Sequence, residues 1–212
     1  MVLHAQEYYP EEGPKLGQGV VHALMVFRLF EQAMLLLGKR GYFCIYDMFL
    51  YPQRGAKRPV APDLMCAKGP PCSPWKAWER GVPELVVEIC SPKTGSKDVG
   101  SKWKLYEQIG VPFYVVFDAE GYFQPRQLMA WECVDGKFRE LPSVDGFIKI
   151  QAMELGFRVT DDVLQLTDAT GTPVPTGAEV AAVRQALLEE MEAKTAHLRQ
   201  RLLALGVDPD AP

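Results

Sequence analysis

Glu88 stands in an otherwise apolar run, ELVVEIC over residues 84–90. Read as a strand, the run puts Glu84, Val86, Glu88 and Cys90 on one side, because side chains alternate along extended backbone. A carboxylate buried alone is costly unless a cation or hydrogen bonds compensate it. The partner could be Lys102, a metal, or both, and a structural ion pair without chemistry would meet the same need. Asp63 opens a second short run after Pro62. A Pro-Asp pair alone reads as a turn. Two carboxylates on adjacent strands, however, can hold one Mg²⁺, or Mn²⁺ in its place. Such an ion polarises a phosphoryl oxygen and lowers the pKa of a bound water, while a lysine close by steadies the developing charge.

Asp98, Lys102 and Tyr106 recur at helical spacing and share one helix face. That face can bring Lys102 back over the end of the Glu88 strand. Asp98 is equally readable as a helix N-cap and Tyr106 as a core aromatic, and these plainer readings are preferred for both. His22, early in an apolar helix, reads first as a satisfied structural histidine.

The elements that must position these residues are marked by their patterning. Residues 20–37 are apolar at helical spacing and end at Gly38; being hydrophobic almost all round, they predict a helix buried against a sheet. Tyr42 to Tyr51 reads as one aromatic and β-branched strand, followed by a short strand from Asp63 to Ala67. Residues 68–83, rich in Pro and Gly, read as loop. Strand 84–90, a helix from Asp98 to Ile109 capped by Gly110, and strand Phe113 to Asp118 make a βαβ-type unit with parallel strands. Residues 127–141 form a hairpin around Asp135-Gly136, and Phe157 to Leu166 is a further strand-like piece. Residues 1–170 are expected to form one domain, and 171–212 a linker with an amphipathic helix. That helix carries an apolar side from Val180 to Leu205 whose heptads are interrupted by Lys194 and Arg201. It could pair two copies into a homodimer or pack on its own domain.

The 212 residues suffice for one domain with an appendage, and 48% hydrophobic with 24% charged content is ordinary for a globular protein. No segment is expected to span a membrane, and Met1 to Pro14 lacks the basic start and apolar run of a secretory signal. Five scattered cysteines fit reduced thiols in a cytoplasmic protein, and Cys66 and Cys72 lack the spacing of a zinc site. The net charge is −4, yet ten basic against five acidic side chains lie between Arg54 and Lys104. Such a local excess suits gripping phosphates, and equally suits solvated surface lysines. Neither GxGxxG nor GxxxxGK[ST] follows a strand, which speaks against nucleotide binding.

Together, Pro62-Asp63, PELVVEICSPKT (83–94), Asp98-x3-Lys102-x3-Tyr106 and GVPFYVVFD (110–118) resemble the Uma-two (Uma2) family of bacterial restriction endonucleases. That family lies in the PD-(D/E)xK nuclease superfamily. The resemblance extends through KAWERG (76–81) and the hairpin to the terminal LLALGVDPD (202–210). It implies a restriction-endonuclease-like α/β core with a central mixed sheet, Mg²⁺ as cofactor, DNA as partner and phosphodiester hydrolysis. Asp63 matches the motif aspartate and Glu88 the motif glutamate, both on the metal. The superfamily lysine two residues later is replaced by Cys90, and the family's helix-borne lysine corresponds to Lys102. The family's first-helix histidine corresponds to His22, and the acidic hairpin before that helix is shortened here. The leading expectation is therefore a Mg²⁺-dependent DNA endonuclease using Asp63, Glu88 and Lys102. Against it stands a catalytically silent scaffold acting in protein–protein interaction through the terminal helix, which Cys90 and the acidic net charge favour slightly.

Overall fold

The computed structural model describes residues 19–56, 59–91 and 95–206. The shortened hairpin before the first helix, Lys57, Arg58 and Lys93 of the basic stretch, and residues 207–210 lie outside the described residues. The chain divides into two units, the first ending at Val174 and the second beginning at Pro175.

Helix α1 (Val20–Leu37) leads into β1 (Tyr42–Ile45), β2 (Leu50–Tyr51), β3 (Leu64–Lys68), β4 (Trp75–Lys76), α2 (Ala77–Arg80) and β5 (Leu85–Ile89). A helical stretch follows in three parts: α3 (Gly95–Lys97), a π-helical turn (Asp98–Lys102) and α4 (Trp103–Ile109). Then come β6 (Phe113–Phe117), β7 (Leu128–Val134), β8 (Lys137–Glu140), β9 (Ser143–Val144), β10 (Phe147–Ile150), β11 (Leu155–Thr160) and β12 (Val163–Asp168). The central sheet runs β1-β3-β5-β6-β7-β8. It is mixed, with β5 and β6 parallel across the helical crossover and its other neighbours antiparallel. A second, antiparallel sheet runs β12-β11-β10-β9.

Both faces of the central sheet are covered, which explains why β5 and β6 are buried at every position. On one face Leu29, Ala33 and Leu37 of α1 pack with Leu64, Val87, Val115 and residues of the second sheet such as Phe157. On the other, Tyr106 of α4 packs with Val86, Tyr114 and Val116. Each fully buried leucine contributes about 1.5–3 kcal/mol by its removal from water. Gln32, fully buried on α1, donates to the Val174 carbonyl and accepts from the Leu166 amide of β12. This one amide group fastens the first helix to the second sheet.

Several expectations change. Helix α1 is buried on one face only, since Leu24 and Phe27 are 64% and 56% exposed. By length and composition alone Val20–Arg40 is apolar enough to cross a membrane. Yet His22, Leu29 and Gln32 turn this helix's buried face to the core. The expected strand 42–51 is broken after Ile45: Asp47 takes a left-handed φ of 49°, and β2 pairs in parallel with β4 instead. The helix expected to begin at Asp98 begins at Gly95, so Asp98 is interior and does not act as an N-cap. Strand-like 157–166 is really a hairpin, β11 and β12, turned by Asp161 and Asp162 in left-handed backbone.

In the second unit, α5 (Gly177–Ala204) starts at a capping box. The Glu179 amide donates to the Thr176 hydroxyl, and the Thr176 amide donates to the Glu179 carboxylate.

Candidate active site

The register of the central sheet creates the site. Leu64 pairs with Val87 and Met65 with Val86, so one further step along this antiparallel ladder sets Asp63 opposite Glu88. Asp63, just outside β3, reaches across the end of β5: its Oδ2 accepts from the Ile89 amide at 2.8 Å. His22 comes down from α1 onto the same place, its Nε2 3.3 Å from Asp63 Oδ2 and 3.0 Å from the Ile89 carbonyl. His22 Nδ1 is buried without a hydrogen-bond partner among the described residues.

Glu88 is completely buried, and both its oxygens are occupied. Lys102 donates to Oε2 at 2.8 Å and Tyr106 donates to Oε1 at 2.8 Å. Lys102 also lies 2.9 Å from Oδ1 of Asp98, itself fully buried, so one ammonium sits between two buried carboxylates. A π turn is a widening inserted into an α-helix and is frequent at functional sites; here it carries both Asp98 and Lys102. Tyr114 of β6 donates to the Asp98 carbonyl at 2.8 Å and braces the turn from below.

The charges follow from this crowding. Burial pushes the Glu88 carboxyl up to about 8; Lys102 opposes the rise, and the Asp63 and Asp98 charges add to it. Burial alone would lower Lys102, but Glu88 and Asp98 outweigh it and hold the ammonium firmly protonated. For His22 burial is likewise outweighed, by the hydrogen bond and charge of Asp63 and by the Ile89 carbonyl, so its pKa rises. Burial and the surrounding carboxylates raise the Cys90 thiol, which stays protonated and uncharged.

These shifts fix a pH dependence of stability. Between pH 4.5 and about 8 the unfolded chain has released a proton that folded Glu88 retains, so stability falls as pH rises through that window. The raised His22 acts in the same sense: its contribution is complete below 6.5 and is lost as pH rises through its folded value. Half-buried Glu107 and Asp168, both lowered, act below this window. A plot of melting temperature against pH is expected to slope downward from weakly acid to weakly alkaline solution. A flat or rising plot contradicts the assigned burial of Glu88.

All six residues singled out by sequence, His22, Asp63, Glu88, Asp98, Lys102 and Tyr106, converge on the end of β5. Tyr106 is at once a core aromatic and a hydrogen-bond partner of Glu88. Sequence reasoning missed the Ile89 backbone, whose amide and carbonyl any residue type would supply, and the brace from Tyr114. The donors at the strand end are the Asp63 and Glu88 carboxylates and the Ile89 carbonyl, all hard oxygens. That set suits Mg²⁺ or Mn²⁺, which accept one or two carboxylates and retain water. Among the described residues no three His, Cys, Asp or Glu side chains form a metal cage by themselves, so a carbonyl and water would have to complete the shell.

Comparisons agree with this architecture. The Uma2 family model, described as "Putative restriction endonuclease", matches residues 14–160. That match ends short of β12 and α5. The crystal structure of "a putative nuclease belonging to DUF820" from Anabaena variabilis ATCC 29413 superposes with a TM-score of 0.50 at 12% identity. The superposition covers 65% of this chain and 75% of that one, and shows a shared fold. No curated protein matches the chain.

Proposed function

The chain belongs to the Uma2 family, whose model carries the description "Putative restriction endonuclease", and from that premise we propose that it hydrolyses DNA phosphodiester bonds with a divalent metal, Mg²⁺ or Mn²⁺, in the cytoplasm. The observation that carries the reading is the convergence of Asp63, Glu88 and Lys102 on one strand end. A structural ion pair would need only Glu88 and Lys102. It would not need a second carboxylate fixed opposite by the neighbouring strand and steadied by His22.

Asp63, Glu88 and the Ile89 carbonyl would hold the ion, which supplies a water of lowered pKa and polarises the phosphoryl oxygen. His22 holds Asp63 and the Ile89 carbonyl in one orientation through a single ring nitrogen. Tyr106 fixes the rotamer of Glu88 by its hydrogen bond to Oε1. Lys102, cationic and partly exposed, is the group placed to stabilise negative charge gathering on phosphorus, and Asp98 orients its ammonium from the other side. Where the superfamily lysine would stand, the uncharged Cys90 cannot serve, which leaves this task to Lys102.

The test is calorimetric binding of Mg²⁺ and Mn²⁺ to the wild type and to an Asp63→Ala, Glu88→Ala double variant, with nicking of plasmid and single-stranded DNA followed alongside. Wild type is expected to bind metal and to nick DNA only with it, and the double variant to do neither. A wild type that binds no divalent metal at millimolar concentration sinks the hydrolytic reading and favours the scaffold.

A further inference from the structure

No residue of α5 is buried, although apolar residues recur along one side of the helix from Val180 to Leu205, interrupted by Lys194. Val183, Leu187 and Met191 are 70%, 55% and 58% exposed, and Leu198, Leu202 and Leu205 are 49%, 37% and 75% exposed. A helix of 28 residues extends about 42 Å, and most helical stability comes from packing an apolar face. The stripe does not follow heptads. From Val180 it advances to 183, 187, 191, 194, 198, 202 and 205, by steps of three, four, four, three, four, four and three. That is an 11-residue repeat, close to the natural period of the α-helix, so the stripe stays on one side of a nearly straight helix. Lys194 falls on the stripe itself, and Arg184 and Arg201 lie on the same side of the helix, in line with Leu202 and Val183.

Two features of this stripe point to its occupant. The step pattern reads the same in both directions, so a second α5 laid antiparallel brings Val180 opposite Leu205, Val183 opposite Leu202 and Leu187 opposite Leu198. Its charges are split as well. Residues 177–192 carry four glutamates against Arg184, a net −3, and residues 193–206 carry Lys194, Arg199 and Arg201, a net +3. Antiparallel pairing lays the acidic half of one helix on the basic half of the other, and parallel pairing would oppose like halves. The antiparallel register sets Lys194 opposite Met191 and beside Glu190 of the second copy, which gives the stripe's charge a partner. Two symmetry-related like-charged pairs, Arg184 against Arg201, remain in this register.

We infer that this chain forms a homodimer through antiparallel pairing of α5 with α5 of a second copy. The interface is independent of the nuclease reading and lies outside the residues that match the family model. The test measures the mass of the full-length chain by light scattering, in reducing buffer and across a concentration series. It is repeated for E189K/E190K/E192K and for K194E/R199E/R201E, with far-UV circular dichroism confirming that both stay folded. Wild type is expected at twice the single-chain mass, and each charge-swapped protein alone at the single-chain mass. An equimolar mixture of the two swapped proteins is expected to return to twice that mass. A wild type that stays single throughout the series overturns the inference. So does a glutamate-swapped protein that still pairs with itself, or a mixture that fails to pair. The Asp63→Ala, Glu88→Ala variant is expected to remain dimeric, which separates failure of this interface from failure of the nuclease reading.

Discussion

Lys102→Met is expected to destabilise the protein by about 3–5 kcal/mol in solution where Glu88 is ionised, the scale of stranding buried charge. The ammonium lies 2.8 Å from Glu88 and 2.9 Å from Asp98, and neither carboxylate has any solvent exposure. Methionine fills a similar volume without charge, so the loss is electrostatic rather than a cavity. The cost shrinks as pH falls, because Glu88 then takes up a proton in place of its ion pair; without Lys102, which opposes the rise to about 8 in the wild type, it does so at a still higher pH. The triple variant E88Q/D98N/K102M is expected to regain most of the stability and no activity, since the buried charges disappear together. Urea unfolding above and below about pH 8 measures both effects. A Lys102→Met protein as stable as wild type at the higher pH would show that the ammonium does not compensate the two carboxylates.

Glu88→Gln separates function from stability in the opposite sense. The amide keeps the shape of the side chain, can still face Lys102 with its oxygen, and can hydrogen-bond Tyr106. It no longer carries a charge that burial disfavours, so the variant is expected to match or exceed wild-type stability near pH 8 and to lose most of the downward slope with pH. Metal-dependent DNA cleavage is expected to fall by roughly a thousandfold or more, the upper scale for removing a preorganised electrostatic group. Plasmid nicking rates and melting curves on one preparation decide the matter. Cleavage within about tenfold of wild type, a barrier change of only some 1.4 kcal/mol, would remove Glu88 from the chemistry.

The parts of the fold legible in the sequence are those fixed by local signals. The β5–helix–β6 crossover announces itself by two short apolar strands around a helical pattern that stops at Gly110, whose left-handed φ of 77° suits glycine. Asp135-Gly136 likewise specifies the β7–β8 hairpin, with both residues at positive φ. The same signal was present at Asp145-Gly146, also at positive φ, but the two-residue strand before it is too short to show alternation, so β9 and β10 went unread. The Asp161–Asp162 turn is harder to see, because neither residue is a glycine.

The candidate site was legible where its chemistry is out of place, as with a glutamate inside an apolar strand. Its backbone components were not, because amide and carbonyl positions depend on register rather than on residue type. The π-helical turn depends on packing too: Gly100 within it marks a weak point of the helix but does not specify a π turn.

Gln32 has a bearing on where the functional protein ends. It ties α1, and with it His22, to Leu166 and Val174, both beyond the last residue matched by the family model. The segment by which descent is recognised is therefore shorter than the segment that folds together. The carboxylates on β5 and beside β3 lie within the matched residues, as does Gln32, while the two backbone groups that hold Gln32 lie after them. Insertions or drift after residue 160 could thus detune the site while every matched residue stays intact.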